Sequence, residues 1–270
     1  MIDDVLAREI AARLRDAERT KVPIRQISQQ YPELTMEDGY AIQRAGVAIA
    51  EAEGRVMKGR KIGLTSRAMQ QSVGITEPDY GVLYDDMFFA DGSLIPFERF
   101  MAPRIEVELA FVLGKPLSGP GCTIYDALDA TDYVTPACEI LDARFQMTDP
   151  QTGSGRTIVD TIADNAADAG IVTGGRVVRP HDVDLRWVSA LLYRNGVIEE
   201  SGVAAAVLNH PANGVAWLAN RLGGHGVSLE AGMVILAGSF IRPVWVRPGD
   251  TFHADYGPMG SIAFQFSTPA

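Results

Sequence analysis

A chain of 270 residues, 47% hydrophobic and 21% charged, has the material for one large domain or for a core domain with a smaller N-terminal part, and lies far from the disordered class. Its net charge of −10 and pI near 4.9, with no cluster of Lys and Arg, exclude nucleic acid and an anionic membrane surface as partners, while a locally positive pocket still admits a small anionic substrate. Two cysteines, Cys122 and Cys138, are too few for a disulfide framework and fit a reducing cytoplasm; no run of about 18 apolar residues can cross a bilayer, and the acidic N-terminus is no signal peptide.

Residues 3 to 20 repeat apolar positions at helical spacing, with Val5, Ile10, Leu14 and Ala17 on one side of an amphipathic helix. A second helix begins after Thr35, whose hydroxyl caps it while Asp38 returns the bond, and runs through Ile42, Ala45 and Ile49 towards Gly54. Either helix can cover the core or meet another subunit. A short helical stretch is expected after Ser66, broken by Glu77-Pro-Asp-Tyr-Gly81, and this sets an N-terminal helical segment (1–80) against a catalytic β domain (81–270). From Val82 onward short strands are expected at Ser93–Pro96, Ile105–Leu113, Val134–Leu141, Arg186–Tyr193, Val197–Glu200, Val234–Ile241 and Gly260–Phe266. Asn195-Gly196 supplies the positive φ values of a type I′ hairpin turn. One helix interrupts the strands, with Pro211 in its first turn, Val215, Leu218 and Leu222 on one face, and Gly223-Gly224 as its stop. Strands without βαβ alternation point to an α+β architecture with a curled antiparallel or mixed sheet.

Chemistry enters in the run Arg104-Ile-Glu-Val-Glu-Leu-Ala-Phe-Val-Leu113. Period-2 alternation sends Glu106 and Glu108 to one face of an otherwise apolar strand, with their Cα atoms about 6.5 Å apart at roughly 3.3 Å per residue. Two such carboxylates repel and lose hydration unless a hard divalent cation joins them; a polar face turned to water is the alternative. Glu139, isolated among apolar neighbours in Tyr133-Val-Thr-Pro-Ala-Cys-Glu-Ile-Leu141, adds a third carboxylate from an adjacent strand. Three Glu fill half of an octahedral Mg²⁺ shell and leave positions for water and a bidentate substrate. Zinc is less suited, because His181, His210, His225 and His253 show no paired spacing, and no D-x-D-x-D-G loop argues for calcium.

Lys61 lies among small and apolar residues, where a lysine near a metal pocket can move protons; a solvated surface lysine is the alternative. Asp79 sits in a Pro-bounded turn as a capping residue or a base, and Asp160-Thr-Ile-Ala-Asp-Asn165 lines a pocket or starts a helix. Cys138 reads as a small buried thiol, not a nucleophile. No G-x-G-x-x-G, Walker A or G-x-S-x-G motif is present.

Taken together, Lys61-Ile-Gly-Leu-Thr-Ser66, Glu77-Pro-Asp-Tyr-Gly81, the Pro103 to Leu113 run, Pro136-Ala-Cys-Glu-Ile-Leu-Asp-Ala-Arg144 and Asp160-Thr-Ile-Ala-Asp-Asn-Ala166 resemble the 2-keto-4-pentenoate hydratase branch of the fumarylacetoacetate hydrolase superfamily, over nearly the whole chain. Asp85-Asp-Met-Phe-Phe89 and Asn209-His-Pro-Ala-Asn-Gly-Val-Ala-Trp-Leu218 narrow the resemblance to members that hydrate a seven-carbon 2-oxo-enedioate in homoprotocatechuate catabolism. The resemblance implies a β-roll of that superfamily's type, a Mg²⁺ site (Mn²⁺ as the alternative) at Glu106, Glu108 and Glu139, and acid/base roles for Lys61 and Asp79 in either order. It also implies a homo-oligomer built on a fivefold ring, a pentamer or decamer, and a complex with a pathway decarboxylase. Arg104, Arg144 and Arg156 are the candidate partners of a far carboxylate, and Ser239 matches a pocket-lining stretch that a simple turn also explains. The alternatives are a 2-oxo-3-enedioate decarboxylase, a C–C hydrolase of the fumarylpyruvate type, whose His-Glu pair finds no histidine in the N-terminal half here, and a non-catalytic subunit that activates a decarboxylase.

Overall fold

Helix α1 (Asp4–Thr20) starts where Asp3 accepts the Leu6 N–H and ends where Lys21 turns left-handed at φ 58°. Its buried face carries Ala7, Ile10, Ala11, Leu14 and Ala17. Val5, expected on that face, is 77% exposed, because five residues of helix rotate it roughly 140° away from Ile10. The short α2 (Ile27–Gln30) precedes α3 (Met36–Ala52), whose start is the expected capping box of Thr35 and Asp38. These helices pack together through Ile10, Leu14, Ile27 and Ile42 and against Ala163 of α5 (Ile158–Ala163). The computed structural model describes residues 2–67, 70–71 and 75–268; most of the helical stretch expected after Ser66 lies outside them.

Among the described residues one sheet holds eight strands. Its path runs β2 (Asp79–Tyr84), β1 (Met57–Gly63), β10 (Val234–Leu236), β5 (Arg104–Leu113), β6 (Thr131–Leu141), β7 (Asp168–Thr173) and β3 (Phe88–Ala90), with β11 (Val244–Trp245) pairing β5. A second, five-stranded sheet runs β4 (Leu94–Ile95), β13 (Ser261–Phe266), β12 (Thr251–Asp255), β8 (Ser189–Arg194) and β9 (Val197–Val203). The pairs β1/β10, β3/β7 and β4/β13 are parallel and the rest antiparallel, so the α+β architecture with a mixed, mainly antiparallel sheet holds. The Asn165 side chain bonds both backbone groups of Val82, tying the middle of β2 to the approach to β7, a strand far from it in the order of the large sheet. The main core fills with Phe111, Val134, Leu192, Leu218, Phe252 and Ile262 from both sheets and from α6 (Pro211–Gly223), while α4 (Ile124–Ala130) packs against α6.

Local turn chemistry appears as expected at the hairpin, with Asn195 at φ 53° and Gly196 at 81°, and at α6, with Pro211 in its first turn. The strand map is corrected in places. The large sheet already takes up β1, so the division expected at 80/81 falls inside β2. The strand expected over Val234–Ile241 stops at Leu236, where Gly238 turns the chain at φ 118°. No helix of the described residues is long and apolar enough to cross a membrane.

Candidate metal centre and active site

Antiparallel pairing sets Glu106 of β5 directly opposite Glu139 of β6, with Glu108 opposite Ala137, so all three carboxylates share one face of the curled sheet. One oxygen from each lies within 4.8 Å of the others. Glu108 and Glu139 are fully buried, and Glu106 is largely so, which removes the water-facing alternative for this strand. Glu108 Oε2 accepts the Gly238 N–H at 2.8 Å, but its Oε1 and both oxygens of Glu139 lack a hydrogen bond. Gly238 is needed there, because a Cβ would come within 2.3 Å of Thr65 Oγ1. Burial and the neighbouring Glu139 push the Glu106 carboxyl up to about 7 and Glu108 well above the usual range. Orphaned, mutually repelling oxygens of hard-donor type are a donor set that fits a divalent cation.

Lys61 projects from β1 onto the same face, 3% exposed, with Nζ 3.2 Å from Glu139 Oε1. Burial opposes its charge, yet Glu139, Asp79, Glu106 and Asp168 outweigh burial and keep the ammonium protonated. The solvated-lysine reading therefore fails. Asp79 stands opposite Gly63 across β1 and β2, buried, with neither oxygen in good hydrogen-bond geometry. Burial raises its affinity for a proton, and Lys61 and Arg156 draw it back. A Cβ on residue 63 would sit 2.1 Å from Asp79 Oδ1, so Gly63 is what lets this carboxylate fold over the strand.

The cations divide. Arg104 is buried over the Trp245 ring, with Nε and Nη2 unpartnered, and burial with Arg156 alongside pushes its guanidinium down to about 10. Arg156 has a buried, unpartnered Nη1 and acts on Asp79, Glu106 and Arg104. Arg144 is spent elsewhere: it binds the Asp164 carboxylate and donates to the backbone oxygens of Asp164 and Asp168. It is therefore no free partner for a substrate carboxylate. The Ser239 hydroxyl is likewise engaged, closing a turn with the Ile241 backbone. Asp160 closes the capping box of α5 with Thr157 and also binds Ser28, so this part of its segment starts a helix. Burial pushes the Cys138 thiol up to about 12, far from a working nucleophile.

Sequence reasoning missed Asp168. The β6/β7 register slips by one residue and sets Asp168 opposite Leu141, on the face that carries Glu139. It is fully buried with both oxygens unpartnered, and it feels Glu139 and Lys61.

Fold and site together define a β-roll protein whose large sheet carries a carboxylate trio suited to a divalent cation, with a buried lysine and aspartate beside it. The chain belongs to the fumarylacetoacetate hydrolase family: the family model described as Fumarylacetoacetate (FAA) hydrolase C-terminal matches residues 56–267. It is 64% identical over 257 residues to the 2-oxo-hept-4-ene-1,7-dioate hydratase of Escherichia coli, covering 95% of this chain and 96% of that one. It is 37% identical to the 4-oxalocrotonate decarboxylase of Pseudomonas putida, over 98% and 97% of the two chains. The solved 4-oxalocrotonate decarboxylase from Pseudomonas putida G7, complexed with magnesium and adipate, superposes with a TM-score of 0.93 at 34% identity, over 98% of this chain and 99% of that chain.

Proposed function

We propose that this chain is a divalent-cation-dependent hydro-lyase that converts 2-oxohept-4-ene-1,7-dioate, or its 2-hydroxydienoate tautomer, to 4-hydroxy-2-oxoheptane-1,7-dioate in aromatic catabolism. The observation that carries this reading is the carboxylate trio with Lys61 Nζ 3.2 Å from it. The identity to the Escherichia coli hydratase supports the substrate, and the magnesium complexed with the solved decarboxylase supports Mg²⁺, with Mn²⁺ as the alternative.

Glu106, Glu108 and Glu139 would hold the cation, which when bound supplies a Lewis acid for the carboxylate and C2 oxygen of a 2-oxo acid. Lys61 Nζ, kept protonated by the surrounding acids, gives a proton to C5 of the dienol and takes back the proton of the C2 hydroxyl. Asp79, buried and with raised proton affinity, takes a proton of the water whose oxygen bonds to C4 and passes it to C3, so both residues end as they began. The net change is hydroxyl at C4 and hydrogen at C5. Arg104 and Arg156, with unpartnered guanidinium nitrogens, hold the far carboxylate. The buried, apolar lining of the sheet around the trio, Leu83, Ala110, Ala137, Ile171 and Leu236, keeps bulk water out.

The protein further works as a homo-oligomer in a reducing cytoplasm, a pentamer or decamer by family resemblance, alongside a pathway decarboxylase. Edge strand β9, with Val197 64% and Ile198 51% exposed, and the free thiols of Cys122 and Cys138 support this. Ultraviolet decay of the conjugated substrate, with carbon dioxide trapped in the same vessel, tests the reaction. Chelator-sensitive bleaching without carbon dioxide is expected; release of carbon dioxide in step with bleaching overturns hydration in favour of decarboxylation.

A further inference from the structure

Strands β1 and β2 turn Lys61 and Asp79 inward and, by alternation, Arg60 and Val82 outward as a cross-strand pair. Over this outer face lies a cavity of about 440 Å³, walled by β1, β2, α3 and the end of α6. A volume in the range of ligand pockets, roughly 300–1,000 Å³, would not by itself mean a site. Its chemistry is more telling. Arg44, Arg60 and His225 line it, and none of its described lining residues is Asp or Glu, in a chain of net charge −10.

The Arg60 side chain makes no ion pair or hydrogen bond among the described residues and feels Glu51 only from a distance; its Nε is buried without a partner, and its guanidinium lies 5.9 Å from the centre of the Tyr80 ring. Arg55 and Arg144 are held by Asp86 and Asp164, while Arg104 and Arg156, which like Arg60 keep unpartnered nitrogens, belong to the candidate active site on the other face. Leaving a guanidinium part-desolvated and unpaired is unfavourable, and a carboxylate that meets it in the two-point geometry of a guanidinium relieves this. Around that charge the walls are apolar and aromatic, with Tyr80, Val82 and Leu222.

We propose that this cavity binds an organic monocarboxylate with an apolar or aromatic body, its carboxylate on Arg60 and its body against Tyr80, Val82 and Leu222, behind the strands that carry Lys61 and Asp79. The site is separate from the carboxylate trio and does not depend on the reaction assigned to it.

Isothermal titration of phenylacetate into the full-length, chelator-treated protein tests this, since no cation then draws a carboxylate to the trio. Saturable binding at one site per chain is expected, with the uncharged phenylacetamide not binding. Arg60→Ala is expected to weaken binding at least about tenfold, or about 1.4 kcal/mol, Arg60→Lys less, and Arg156→Ala not at all. A melting temperature for Arg60→Ala no lower than that of the parent shows that lost binding is not lost folding; Val227→Trp, which adds bulk to the cavity lining and leaves Arg60 in place, must also abolish binding. No saturable binding at millimolar phenylacetate, equal binding of phenylacetamide, or binding lost in Arg156→Ala but kept in Arg60→Ala overturns the proposal.

Discussion

Glu139 meets two groups at once, Glu106 across the β5/β6 pair and Lys61 Nζ at 3.2 Å. Replacing it with glutamine keeps its shape and removes the charge that Lys61 pairs with and that a cation at the trio would need. Glu139→Gln is expected to lose cation binding by calorimetry and to lower kcat/KM by about 100-fold or more, about 2.7 kcal/mol; unchanged binding would take the cation away from the trio. Lys61→Met separates chemistry from cation binding. It is expected to lower kcat by about 10²–10⁴-fold while cation affinity holds or tightens, because a positive neighbour is removed; a collapse of cation affinity would make Lys61 part of the binding apparatus instead. Glu106 and Glu108 were legible because strand alternation is a local rule, and Glu139 because a lone charge among apolar residues is costly. Asp168 was not, since its direction depends on a register slip between Ile140 and Leu141 that no local pattern encodes. Arg144 misled because its partner Asp164 is 20 residues further on and becomes its neighbour only through the fold.

Elements whose ends are set by neighbouring residues were read correctly. The Thr35/Asp38 capping box, the Asn195-Gly196 turn and Pro211 in the first turn of α6 are bonds or φ values within a few residues of each other. Strands β1, β2, β3, β7, β11 and β12 were not expected, because they are short or carry Gly and charge and become strands only by pairing. For α3, Thr35→Ala is expected to lower stability by about 1 kcal/mol, measured by urea unfolding. Hydrogen bonds from the Thr35 backbone and hydroxyl, and from the Ile2 backbone, lower the Asp38 carboxyl from 3.8 to about 2. The folded value lies below the unfolded one, so this stabilisation is complete above the unfolded pKa and is lost as pH falls from 3.8 towards 2. Asp38→Asn should melt with a shallower pH dependence than the parent across that window; identical slopes would mean that Asp38 is not a source of acid sensitivity.

At the scale of the molecule, the charges inside the sheet couple stability to the cation. In the cation-free protein Glu106 is raised from 4.5 to about 7 by burial and Glu139, and burial with Glu139 also raises Glu108 well above the usual range. The folded value exceeds the unfolded one, so the folded form is favoured below about 4.5 and that advantage disappears as pH climbs through 7. Chelator-treated protein is therefore expected to lose melting temperature across this window. A fixed Mg²⁺ concentration, set at about 100 times the dissociation constant near neutral pH, adds about 2.7 kcal/mol there, and the gain at that concentration should be larger at alkaline than at acid pH, because fewer protons must leave the trio. A gain independent of pH in differential scanning calorimetry would contradict this coupling.

The central claim, water added to C4 by a site that needs the Glu106, Glu108 and Glu139 trio, is tested most directly by running the reaction in heavy-oxygen water and locating the label by mass spectrometry. One labelled oxygen at C4 of a product that keeps both carboxyl groups, absent after chelation and in Glu139→Gln, is the result expected. A product that has lost a carboxyl group, or label at C4 that persists without the cation, would contradict it.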